Sequence, residues 1–168
     1  NNGVFMLDTL NNVSTFGVGS RLYNVWVNSD GVMKFFTSDG IYKAEGDQYL
    51  LESALTLSTS YARVIILGDK ILFGLGSKIF LLDEDLQLIH QLPLGTEVTW
   101  LGKGEGEAIF IGTETGMFVY DMEKGELGTE HYFPESVVSN TLIDTEGNLW
   151  VTTLGEGVYL SPSPNTKI

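Results

Sequence analysis

Residues 143–159 read IDTEGNLWVTTLGEGVY, an Asp followed by a turn glycine, an apolar run with Trp150, a threonine pair and a second apolar run ending on Tyr159. The two runs, Leu149 to Thr153 and Gly157 to Tyr159, are separated by Leu154-Gly155-Glu156 and preceded by Thr145-Glu146-Gly147. Short β-favouring runs bounded by small and polar residues read as strands joined by turns, so the stretch predicts a β-hairpin entered through a tight turn.

Outward from this hairpin, the glycine-apolar-aromatic element recurs. It stands as Gly3-Val4-Phe5, Gly40-Ile41-Tyr42, Lys78-Ile79-Phe80, Gly116-Met117-Phe118 and Gly157-Val158-Tyr159, at spacings of 37, 38, 38 and 41 residues. The last four copies each follow a second run: Val32 to Thr37, Ile71 to Leu75, Ala108 to Thr113 and Leu149 to Thr153. A further run lies upstream of each hairpin (Leu22 to Asn28, Tyr61 to Leu67, Glu97 to Leu101, Val137 to Ile143). Another lies downstream of three of them (Gln48 to Leu51, Leu86 to Leu92, Leu127 to Phe133). Four strands, A to D, repeated at a fixed period of this size predict an all-β β-propeller of about four consecutive four-stranded antiparallel blades. A helical repeat is excluded, because apolar residues do not recur at i, i+3, i+4 and the 20 glycines would break long helices. A sandwich does not predict a repeating hairpin sequence. The phase gives a partial blade at 1–17, blades at about 21–54, 60–92, 97–133 and 137–160, and an exit linker at 161–168, where Pro162 and Pro164 stop a ladder. Four blades do not readily close a ring. The expectation is therefore a part of a larger propeller, or a chain that pairs with a second copy, since open blade faces are apolar. The opening Asn1-Asn2-Gly3, without initiator Met or leader pattern, fits a piece of something longer.

Composition narrows the partners. The 168 residues carry 9 Lys and Arg against 22 Asp and Glu, a net charge of -13, which repels phosphate backbones and excludes nucleic acid as an expected partner. There is no cysteine, which removes disulfides and Cys-ligated zinc. The apolar runs are far shorter than the roughly 20 residues a membrane-crossing helix needs, so insertion by this segment is not expected.

The stretch Ile143 to Tyr159 resembles the repeat of the two-component regulator propeller, an extracytoplasmic sensor region of bacterial histidine kinases. GEAIFIGTETGMFVYD (Gly106 to Asp121) and GVMKFFTSDGIYK (Gly31 to Lys43) keep parts of that repeat; the blade from Tyr61 to Leu92 departs most, with Phe73 for the tryptophan and Lys78 for the glycine. The resemblance implies a periplasmic, non-catalytic sensing role in a two-component system, with a small-molecule or oligosaccharide ligand in some members.

In a propeller the B–C hairpins and D-to-A connections share one face. That face would carry Thr37, Ser38, Asp39, Ser77, Glu114, Thr115, Gly155 and Glu156, with Tyr61 and Arg63 at the start of a strand A. Hydroxyls, carboxylates and an aromatic there can read a polyol or a peptide, and this is the expected ligand surface; solvated turns are the plain alternative. Asp144, Gly147 and Trp150 are read as turn cap, positive-φ glycine and packing residue. Asp83-Glu84-Asp85 lacks the frame of a calcium loop, so no metal and no cofactor are expected. His90 and His131 fall in D strands, far from the axis. No nucleophile elbow, phosphate loop or metalloprotease motif occurs, so no enzyme is expected. Two alternatives remain: a propeller enzyme similar to streptogramin lyase, and a structural propeller used for protein association.

Overall fold

The computed structural model describes residues 3–7, 13–17, 20–46, 48–54 and 62–162. The β-branched and aromatic runs form seventeen strands among these residues, and no helix long and apolar enough to cross a membrane occurs among them. A two-stranded sheet, β1 (Gly3–Leu7) with β2 (Val13–Gly17), comes first. Three four-stranded antiparallel meanders follow. The first holds β3 (Leu22–Val27), β4 (Met33–Thr37), β5 (Gly40–Glu45) and β6 (Gln48–Ser53). The second holds β7 (Ala62–Leu67), β8 (Lys70–Leu75), β9 (Lys78–Asp83) and β10 (Leu88–Pro93), and the third β11 (Val98–Lys103), β12 (Ala108–Thr113), β13 (Gly116–Asp121) and β14 (Glu126–Leu127). The last sheet has three strands, β15 (Val138–Ile143), β16 (Leu149–Thr153) and β17 (Gly157–Ser161). Tyr61 and residues 163–168 of the expected exit linker lie outside the described residues.

Two features depart from the sequence expectation. The D strand read at Leu127 to Phe133 is split: β14 covers two residues, and pairing with β13 resumes only at Tyr132, whose N–H and C=O bond to Met117. Between them the chain bulges, and His131 stacks flat on Phe118 at 4.4 Å; Phe133 and Glu135, at φ 52° and 76°, then turn it away from the sheet. Trp150, read as an inter-blade packing residue, stands on the open face of the last sheet and is 38% exposed, because no further sheet covers it among the described residues.

Both faces of the inner sheets are buried. Leu72 and Phe73 are neighbours on β8 and so point to opposite faces, yet neither is exposed; Phe35 and Phe36 on β4 behave alike. Such strands suit a radial stack and not a two-layer sandwich. Trp26, Phe36 and Ile41 pack on Ile71, Phe73 and Leu82 of the next sheet, Leu72 and Ile79 on Val98, Ile109 and Ile111, and Met117 on Val138 and Val151. Each fully buried side chain of this size contributes roughly 1.5–3 kcal/mol. Successive blades meet through their first strands, β3 on β7, β7 on β11 and β11 on β15.

The repeat also shows which face is unfinished. Ile41, Ile79 and Met117 hold one position in three blades and are at most 2% exposed, each covered by the following blade; their equivalent Val158 is 60% exposed. Leu142, Trp150 and Leu160, aligned across β15, β16 and β17, share that open face.

Candidate functional site

The turn face is built by a repeated set of backbone bonds. The starts of three A strands are tied to the B–C hairpins of their own blades: Ser38 N–H donates to the Arg21 carbonyl (2.9 Å), Glu114 N–H to that of Glu97 (3.1 Å) and Leu154 N–H to that of Val137 (2.9 Å). The D-to-A link lies over the preceding hairpin, with Leu94 N–H on the Ser77 carbonyl and Val98 N–H on that of Gly76, both at 2.8 Å. Hairpins and links thus share one end of the A strands.

At that end, blades one, three and four carry a β-bulge at the same height. The register shifts between Leu22 and Asn24, Val98 and Trp100, and Val138 and Asn140, leaving Tyr23, Thr99 and Ser139 as the extra residues. A bulge re-aims a side chain. In the second blade the register is unbroken, and Arg63 occupies this level opposite Gly74. Side chains at this level also bridge blades. The Arg63 Nε–H donates to the Thr99 carbonyl at 2.6 Å, the Thr99 hydroxyl donates to the Val138 carbonyl, and the Asn24 amide donates to that of Val64 at 3.4 Å.

Between these bridges lies a cavity of about 370 Å³ lined by Arg63, Glu97, Thr99, Glu114, Ser139 and Leu154, with Val98 and Val137. One guanidinium, two carboxylates and two hydroxyls from three blades converge on it over an aliphatic floor. Hydrogen-bonding groups of both kinds around a partly apolar cleft can orient a small polar molecule.

Of the residues expected on the ligand surface, Arg63 and Glu114 line this cavity. Thr37 is buried, its hydroxyl between the Asp39 carboxylate (2.7 Å) and the Gly40 carbonyl (2.8 Å). Thr113 and Thr153 hold their hairpins the same way, through the Gly116 and Gly157 carbonyls. Ser38 accepts from the Arg21 N–H, and Asp39 takes the Tyr42 hydroxyl; the hydroxyls of Ser20 and Thr37 hold the Asp39 carboxyl below the usual carboxylate range. Ser77 and Thr115 are exposed on their turns, Gly155 sits at φ 103°, and Glu156 receives the Ser136 and Tyr159 hydroxyls. None of these seven lines the cavity. Glu97, Thr99 and Ser139 do, and no motif marks them; the bulges that set Thr99 and Ser139 there show only in the register of the paired strands.

The turn of the opening stretch is a closed network. Asp144 accepts from the Trp150 indole (2.8 Å), the Asn148 amide (3.0 Å) and the backbone N–H groups of Glu146 and Asn148. The indole first, then the amide, bring its pKa to about 2. In the 83–85 acidic run, Asp83 caps Gln87 and Glu84 accepts from Ser29 of the neighbouring blade.

No protein-family profile matches the chain, and no curated protein matches it. Solved structures do. The extracellular domain of BT4673 from B. thetaiotaomicron, described as a one component system, aligns with a TM-score of 0.69 at 15% identity over 99% of this chain and 26% of that one. The extracellular domain of BT3049 from the same organism, described as a hybrid two component system, gives 0.69 at 20% identity over 99% and 24%. Virginiamycin B lyase from Staphylococcus aureus gives 0.69 at 12% identity over 98% and 64%. The chain spans about a quarter of the length of the two sensor-system domains. At such identities a likeness carries architecture, and the architecture is settled: this chain is a run of consecutive β-propeller blades.

Proposed function

We propose that the chain is the ligand-recognition part of an extracytoplasmic sensor of the two-component kind, non-catalytic itself, reading a small polar molecule at the turn-face end of its A strands. The observation that carries this is the cavity where Arg63, Glu97, Thr99, Glu114 and Ser139 converge from three blades, with Thr99 and Ser139 set there by β-bulges. The sensor-system domains similar in fold support the role and the extracytoplasmic setting. The similar lyase raises the catalytic alternative. His90 lies on β10 and His131 stacks on Phe118, neither lining the cavity, and no group of three or more metal-ligating side chains occurs among the described residues. The test is thermal unfolding of the chain with neutral oligosaccharides, acidic oligosaccharides and short peptides. One class should raise the melting temperature, and Arg63→Ala should abolish that rise. No rise with any class, or turnover of glycosides, esters or lactones that Glu114→Gln abolishes, overturns the proposal.

The open face of the last sheet we assign to blade stacking: its Val158, Leu142, Trp150 and Leu160 offer what Ile41, Ile79 and Met117 offer inside the stack. In the intact sensor the remaining blades of the propeller cover it; for the 168-residue chain alone, a second copy does.

A further inference from the structure

The turn-face cavity divides its polar groups unevenly between donors and acceptors. The Thr99 hydroxyl gives its proton to the Val138 carbonyl, and the Ser139 hydroxyl gives its own to the Thr152 carbonyl at 3.2 Å. A hydroxyl has one proton and two lone pairs, so with the protons spent both oxygens can only accept. The Arg63 Nε–H is spent as well, on the Thr99 carbonyl at 2.6 Å, where it braces the third-blade bulge. Glu97 and Glu114 are in the opposite position. Their backbones are joined by a hydrogen bond of 3.1 Å, and both residues line the cavity. Neither carboxylate takes an ion pair or a hydrogen bond among the described residues. Two carboxylates and two hydroxyl oxygens are thus left as acceptors, with two negative charges against the one of Arg63, in a chain of net charge -13.

We infer that the ligand of this cavity carries a primary ammonium group on a short aliphatic body; the inference rests on the reading of the cavity as the ligand site and narrows it. An ammonium brings three N–H donors and a positive charge, so it supplies what the acceptors lack and neutralises the carboxylates. A neutral hydroxyl would donate to the same oxygens but leave their charge uncompensated. Val98, Val137 and Leu154 offer apolar surface to methyl or methylene groups, a surface that a bare metal ion would leave unused. The volume of about 370 Å³ is small for a ligand pocket and suits a di- or tripeptide or an alkyl diamine. The N-terminus of a short peptide and a free alkylamine share this chemistry, and the experiment tells them apart.

The experiment is isothermal titration calorimetry on the 168-residue chain with trialanine amide, N-acetyl-trialanine amide, 1,4-diaminobutane, calcium chloride, and neutral and acidic oligosaccharides. Trialanine amide or the diamine should bind, the tighter of the two naming the source, and acetylation should abolish binding of the peptide. Glu97→Gln and Glu114→Gln should each weaken binding by about tenfold or more. Without ligand, both variants should melt at or above the wild-type temperature, because neither carboxylate loses a partner within the chain. A clear fall for either would reveal such a partner and overturn the inference. It is also overturned by binding that survives both substitutions, by equal binding of the free and acetylated peptides, or by heat from calcium chloride with none from the amines. Should an oligosaccharide bind while both amines fail, the cavity stays a ligand site and only its assigned chemistry falls; should nothing bind, the reading of the cavity falls with it.

Discussion

Asp144 shows how one side chain fixes a turn and leaves a signature in pH. Its carboxylate is stabilised as an anion by the Trp150 indole and the Asn148 amide, so its pKa falls to about 2 in the folded state, below its ordinary value near 3.8. A lowered folded pKa means that the contribution is present above about pH 4 and is lost as the pH falls toward 2. Wild type should therefore lose part of its stability in that window, whereas Asp144→Asn should be less stable at neutral pH, the gap closing between pH 4 and pH 2. Melting temperatures of both proteins across the window check this; a gap unchanged down to pH 2 would remove Asp144 from the network. Gly116 makes a second case. At φ 133° its missing Cβ leaves room for the Tyr132 carbonyl, 2.6 Å from where a Cβ would stand. Gly116→Ala should cost about 1–3 kcal/mol in urea unfolding, by backbone strain and by loss of the Met117–Tyr132 bridge. The aspartate was legible as a turn residue in the sequence, because turn chemistry is local, whereas Gly116 was read only as the head of a repeated strand.

Between elements, the chain uses side chains to lace blades together. Lys34 on β4 is buried, donates to the Glu84 carbonyl of the next blade at 2.8 Å, pairs with Glu52 at 3.2 Å and lies over the Trp26 ring. Lys70 reaches the Met122 carbonyl, the equivalent place one blade further on, at 3.5 Å. Lys34→Ala should destabilise the chain by about 2 kcal/mol, below the roughly 3–5 kcal/mol of a fully buried broken pair because Glu52 keeps some water, and Lys34→Met should cost less. Equal losses for the two would show that the ammonium and its contacts carry the effect and the stem's packing does not. The A-strand bulges belong to the same scale. The hydrophobic pattern predicts a strand there, but an extra residue is invisible until the partner's register is known, which is why Thr99 and Ser139 escaped the sequence while Arg63 and Glu114 did not.

For the whole molecule, the open face governs behaviour in solution. A sheet with Leu142, Trp150, Val158 and Leu160 outward presents an apolar face of the kind that drives association. The 168-residue chain should self-associate in sedimentation experiments, and Leu142→Glu with Leu160→Glu should return it to a monomer with its fold intact by circular dichroism. A wild-type monomer at all concentrations would mean that this face needs no cover.

The sequence by itself determined the repeat, the strand order within a blade and the propeller class, because period, alternation and turn chemistry are short-range properties written along one chain. The tertiary structure alone decided which polar residues meet. Arg63, Glu97, Thr99, Glu114 and Ser139 come from three blades, and only radial stacking and the bulges bring them to one cavity. Their convergence depends on the distance between neighbouring strands in space, a quantity that no spacing along the chain encodes.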